Sequence, residues 1–201
     1  ALEHVYPDDP EWTMTLAHHW GIAGKSEKVA EYTAKAGERA LEISAYDRAL
    51  TYLTQALSFD PPKTQRAKLH RLLAEVHYGL GNVSTSLEHA DHALELMGMA
   101  RLVQGRWLTL THIAGQLGRQ GMHRLFSSFF IGRREEEKEK LLRAALLHIQ
   151  AAQAYMFTGK AMPGALSALY ALNIAEKAGP SPELAYTYAA MALAVSYSGR
   201  Q

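Results

Sequence analysis

The sequence predicts an all-α fold: an α-solenoid of about nine helices in antiparallel pairs, wound as a right-handed superhelix. Three observations predict it. The first is a ladder of small residues that occurs three times. It runs Ala36, Gly37, Ala40, Ser44, then Ala49, Leu53, Ala56; again Leu73, Ala74, His77, Gly81, then Ser86, Ala90, Ala93; and again Ala151, Ala152, Tyr155, Gly159, then Gly164, Ala168, Ala171. In every copy the second half starts 13 residues after the first. The second observation is the period. Copies begin 37 and then 78 residues apart, the latter two steps of 39, so a degenerate unit intervenes. The third is the lack of any strand pattern: β-branched residues are scattered singly among Ala, Leu, Glu and Lys.

The elements follow in order. Pro7 and Pro10 precede a first helix over about 11–23, and Gly24-Lys25-Ser26 is its turn. Ser26 is the expected N-cap of the second helix, which runs to about Ile43. The third spans about 46–58, and Asp60-Pro61-Pro62 ends it, because proline cannot donate to a helix and restricts the residue before it. A fourth covers about 64–80, Gly81-Asn82 is the next turn, and a fifth runs over about 84–97. A sixth is expected over about 99–117, with Gly118 and Gly121 breaking the pattern after it. The run Arg133-Arg134-Glu135-Glu136-Glu137 opens a charged helix that reaches about Thr158, its carboxylates favoured by the N-terminal dipole. The next spans 163–178, with Pro163 in its first turn. Gly179-Pro180-Ser181-Pro182 stops and restarts the chain before a last helix from about Glu183. There Met191, Ala192, Val195 and Gly199 begin a fourth copy of the ladder, 40 residues after Ala151.

The chain thus reads as one helical-repeat domain over 1–201: regular repeats at 1–97, a degenerate unit at 98–134, and further repeats at 135–201 with the last one truncated. A repeat array that stops inside a helix pair exposes an apolar face, so a fragment of a larger chain is expected.

Apolar residues make up 48% of the 201, enough for a continuous core. A net charge of +1 gives no electrostatic case for nucleic acid or an anionic membrane. No apolar run approaches the roughly 18 residues of a membrane span. The absence of cysteine excludes disulfides and thiolate metal sites and fits a cytoplasmic location.

The ladder resembles the tetratricopeptide repeat, closest in Ala49-x3-Leu53-x2-Ala56 ending at Asp60-Pro61, and in Tyr155-x3-Gly159. A narrower resemblance lies in Leu16-Ala17-His18-His19-Trp20, Ala36-Gly37-Glu38-Arg39-Ala40-Leu41 and Ser44-Ala45-Tyr46-Asp47-Arg48-Ala49. The runs Gln116-x6-His123-Arg124-Leu125-Phe126 and Ala175-Glu176-Lys177-Ala178-Gly179-Pro180-Ser181-Pro182-Glu183-Leu184-Ala185 belong with them. These look like the C-terminal regions of large bacterial signalling proteins, in which an ATPase module of the signal-transducing type, often with an adenylate or guanylate cyclase domain, precedes the repeats. Neither catalytic domain lies within these residues. The resemblance implies that any such activity belongs to another part of the parent protein.

No residue is assigned to catalysis, to a cofactor or to a metal. Gly24-Lys25-Ser26 imitates the end of a phosphate loop, but the first glycine of that motif falls on His19. His89 and His92 are three apart on one helix and read as a solvated surface pair rather than zinc ligands. His77 reads as a satisfied packing residue. His18 and His19 are adjacent, so they point about 100° apart on a helix and do not act as a pair. Glu135, Glu136, Glu137 and Glu139 with Arg133 and Arg134 read as a solvated helix start. Serine and histidine show no triad spacing.

The candidate surfaces are of another kind. Leu125, Phe126, Phe129, Phe130 and Ile131 form an apolar segment outside the repeat pattern; exposed it would be a docking patch, folded back it would plug the degenerate repeat. By the repeat frame, Lys68, Arg71, Glu75 and Tyr78 face the concave groove from one unit, and Gln150, Gln153, Met156 and Phe157 from a later one. The expected function is a noncatalytic protein-interaction or regulatory module of a signalling ATPase or cyclase. Its partner is expected to be a peptide, a helix or another domain of the same chain. The alternative is a sensor that holds a small ligand in the groove. A homodimer through the truncated end, where Tyr186, Tyr188 and Met191 would be exposed, is compatible with either.

Overall fold

A computed structural model describes residues 12–102, 105–125 and 135–198, without the side chains of 106, 122–125, 135–136 and 193–198. Among the described residues all regular structure is helical, and the helices pack in adjacent pairs. The chain divides into two compact units, Ala1–Leu96 and Met97–Gln201.

The first unit holds α1 (Thr13–Ile22), α2 (Ser26–Glu42), α3 (Tyr46–Ser58), α4 (Lys63–Gly79) and α5 (Val83–Leu96). Each helix packs on the next, and α2 also touches α4, which is how one helix pair stacks on another. Ala49, Leu53 and Ala56 of the ladder are fully buried, in a core with Leu69, Leu72, Leu73 and Val76. Removing each such leucine from water contributes about 1.5–3 kcal/mol.

The small residues of the ladder set the distance between helices. A Cβ on Gly37 would lie 2.6 Å from Leu53 Cδ2, so only glycine lets α3 come this close to α2. In the second copy Ser86 Oγ donates to the Ala74 carbonyl at 2.7 Å. At the equivalent place in the third copy, a Cβ on Gly164 would stand 3.4 Å from the Ala152 carbonyl oxygen.

The ladder also marks the turns. Its fourth positions, Ser44, Gly81 and Gly159, have φ of 57°, 78° and 70°. Each closes the preceding helix with the same pair of backbone bonds. Ala45 N donates to Ala40 O, Asn82 N to His77 O and Lys160 N to Tyr155 O, all at 2.8 Å. The companion bonds, each to the residue three back, are Ser44 N to Leu41 O, Gly81 N to Tyr78 O and Gly159 N to Met156 O. Gly24 repeats this geometry at the end of α1, with φ of 68° and bonds from Gly24 N to Gly21 O and Lys25 N to Trp20 O. Ser26 therefore does not cap α2: it lies inside the helix, Lys25 holds the cap position, and no side chain bonds the helix end.

The second unit holds α6 (Arg106–Leu125), α7 (Glu135–Phe157), α8 (Ala161–Ala178) and α9 (Pro182–Ser198). Helix α8 is its centre. It touches α6, α7 and α9, and every residue from Leu166 to Ala175 is buried. Helix α9 also touches α7. Ser181 Oγ accepts from Leu184 N at 3.1 Å, so the restart after Gly179 carries a serine cap with Pro182 as first helical residue.

Two expectations need correction here. Gly118 and Gly121 do not break α6; the helix runs through both to Leu125. Gly105, expected inside that helix, stands before it with φ of 103°. Helical φ/ψ is open to glycine at about 1 kcal/mol per residue, and the contact with α8 offsets this cost.

Candidate functional site

Helix α6 is amphipathic in the unusual sense. Thr109 and Gln116 are buried, and His112, Gln116 and Gln120 bond to side chains of α8. Their spacings of three, four and four put them on one face. The opposite face carries Trp107, Leu110, Ala114 and Leu117, also at helical spacing. Trp107 is 79% exposed, Leu108 59% and Leu117 54%.

The inward face is well satisfied. Asn173, 2% exposed, donates from Nδ2 to Gln116 Oε1 at 2.7 Å and to the Gln116 carbonyl at 3.2 Å. Gln120 Nε2 donates to Asn173 Oδ1 at 2.7 Å and to Glu176 Oε2 at 2.8 Å. The other carboxylate oxygen of Glu176 accepts from Tyr188 Oη of α9 at 2.7 Å. One turn earlier, His112 Nδ1 is 2.6 Å from Tyr170 Oη, and the Tyr170 ring stacks on buried His148 with centroids 5.1 Å apart. Burial raises the Tyr170 phenol above its ordinary value. A fully bonded polar seam fixes the register of α6 on α8 and leaves the apolar side of α6 outward.

Lys68, Arg71, Glu75 and Tyr78 form a single stripe on α4. Lys68 Nζ pairs with Glu38 Oε1 of α2 at 2.6 Å, and Arg71 Nη1 lies 3.8 Å from Glu75 Oε2. Each cation of the stripe therefore has a carboxylate near it, that of Lys68 coming from α2. On α7, Gln153 Nε2 donates to Tyr186 Oη of α9 at 3.2 Å, while Met156 and Phe157 are exposed. Tyr186 and Tyr188 are each half-exposed, and Met191 is less so. Leu125 ends α6. Its side chain, and Phe126, Phe129, Phe130 and Ile131, lie outside the described residues, as do Arg133 and Arg134.

The histidines correct the sequence reading. His89 is half-buried, not solvated, and it meets His70 and His77 of α4. His77 Nδ1 is buried and has no hydrogen-bond partner, so that ring is not satisfied. His92 is exposed, its ring perpendicular to that of His70 with centroids 5.2 Å apart. His18 and His19 are both exposed, with ring centroids 6.0 Å apart and planes tilted by 57°. Among the described residues no three His, Asp or Glu side chains are placed to hold a metal ion.

An open cleft of about 470 Å³ lies against α1 and α2, lined by Met14, Ala17, Gly21, Ile22, Val29 and Thr33 with His18 and Gln55. It shares no residue with the predicted groove. Among the described residues no helix is long and apolar enough to cross a membrane. No protein-family model matches the chain, and no curated protein matches it in sequence.

The sequence reading missed the α6 face, although its signal was present. Thr109, His112, Gln116 and Gln120 form a polar stripe as regular as the apolar one opposite. Periodicity shows that a helix has two faces; which one turns inward depends on its partner, here Asn173 and Glu176 of α8.

Proposed function

We propose that this chain is a noncatalytic protein-interaction module made of tetratricopeptide-like helix pairs, acting as a regulatory arm of a signalling ATPase or nucleotide cyclase in the cytoplasm. The observation that carries the reading is the outward apolar face of α6. Trp107, Leu110 and Leu117 share it, in a helix whose polar side chains are already used on α8. Contiguous exposed apolar surface of this kind marks a protein contact. An aromatic anchor with leucines around it is the composition of an interface centre. Phe157 and Met156 add exposed apolar surface at the end of α7.

The occupant we infer is a domain of the same parent protein, and the test is made in that full-length protein. A photo-crosslinking amino acid is placed at Leu117, and in a control at Glu42, an exposed residue of α2. Discrete intramolecular cross-links from position 117 to a domain outside this chain, absent from position 42, support the reading. Equal, diffuse labelling from both positions overturns it.

A further inference from the structure

Four histidines meet along the seam between α4 and α5. His70 and His77 are two turns apart on α4, and His89 and His92 one turn apart on α5. The His70 and His89 centroids are 5.1 Å apart, and the His77 and His89 rings stack at 5.3 Å. Nδ1 of His70 lies 2.9 Å from Nδ1 of His89. One of these nitrogens must donate and the other accept, so the contact requires at least one of them to lack its proton. Two imidazolium rings would aim N–H at N–H.

We propose that this seam is an acid-sensitive latch: the neutral rings hold α4 against α5, and protonation opens that contact locally. The surroundings give little compensation for added charge. The charged neighbours of His70 are the Arg66 guanidinium and His92, both of the wrong sign once the ring is protonated. Glu88 faces His77 and is the single carboxylate that favours its charged form. From α3, the uncharged Tyr46 ring fills the space at Gly79. From α2, Glu38 pairs with Lys68 on the other stripe of α4. His77 Nδ1, buried without a partner, offers a protonated ring nothing to bond.

Burial first, then the neighbouring His70, His77 and His92, hold His89 down to about 4, and burial lowers His70 and His77 as well. In the unfolded or opened state these rings return toward about 6.5. The opened state therefore binds protons first as pH falls. The contribution of the seam is complete above about pH 6.5 and is lost progressively below it, toward pH 4.

The test is amide hydrogen exchange, corrected for intrinsic rates, at about pH 7.5 and about pH 5. Helices α2 and α3 contain no histidine and serve as internal reference. The expected result is opening of α4 and α5 that rises about tenfold relative to α2 and α3 on acidification, with most of this rise abolished in His89→Gln. An unchanged ratio in the wild type, or the same rise in wild type and variant, overturns the latch. Ring titration of the wild type by NMR decides the matter if the variant does not fold. A His89 ring that titrates at or above the ordinary 6.5 contradicts the proposal, and one well below it supports it.

Discussion

Asn173 Nδ2 donates to Gln116 Oε1 at 2.7 Å, from the middle of a helix buried on nearly every side. This bond, with its neighbour from Gln120, holds the degenerate helix on the repeat that follows it. It also explains how a helix with four apolar residues in a row of turns keeps them outside. Turning α6 over would bury Trp107 and Leu117 but strand Asn173 in the core without a partner, at about 1–3 kcal/mol for an unsatisfied group.

The first prediction follows from that asymmetry. Asn173→Leu removes one member of the pair and leaves Gln116 Oε1 buried without that donor, a loss of about 1–3 kcal/mol. The double variant Asn173→Leu with Gln116→Leu costs less than the sum of the two single changes. A double-mutant cycle by urea unfolding measures the difference; additive losses would contradict the coupling.

Ser44 carries the left-handed conformation, φ 57°, that Gly81 and Gly159 carry in the other copies. A side chain there costs about 1 kcal/mol, which glycine avoids. Ser44→Gly is expected to stabilise the chain by up to about 1 kcal/mol, and Gly81→Ala to destabilise it by about 1–2 kcal/mol. Thermal unfolding of the two variants checks both signs.

Gly37 faces Leu53 across the closest approach of α2 and α3. The added methyl of Gly37→Ala would lie 3.3 Å from the Leu53 backbone nitrogen as well as against its side chain, so rotamer change alone does not relieve it. A loss of about 1–3 kcal/mol is expected, because overpacking moves the helices apart. Adding Leu53→Ala to that variant should recover little, since it opens a cavity of its own.

Much of the fold was legible because the repeat writes the same local rule several times. Ser44, Gly81 and Gly159 hold the same place in the ladder, and the structure gives all three the same backbone bonds, although the sequence reading marked a turn only at Gly81-Asn82. The span of α3 was read to the residue because Asp60-Pro61-Pro62 ends it chemically. The far end of α6 was not, since glycine only weakens a helix, and contact with α8 carries it through Gly118 and Gly121. The histidine seam was half visible. His89 and His92 show their spacing along one helix, but His70 and His77 join them only through the packing of α4 on α5, which no local pattern encodes.

The most direct test of the central claim is Leu110→Glu with Leu117→Glu in the full-length protein. Both residues lie on the outward face of α6, away from the bonds to α8. Thermal stability of this chain and its association with the other domains of the proposed parent are measured together. Retained stability with lost association is the predicted result. Unchanged association, or collapse of the fold on adding the two charges, would contradict the assignment of this face as an interaction surface.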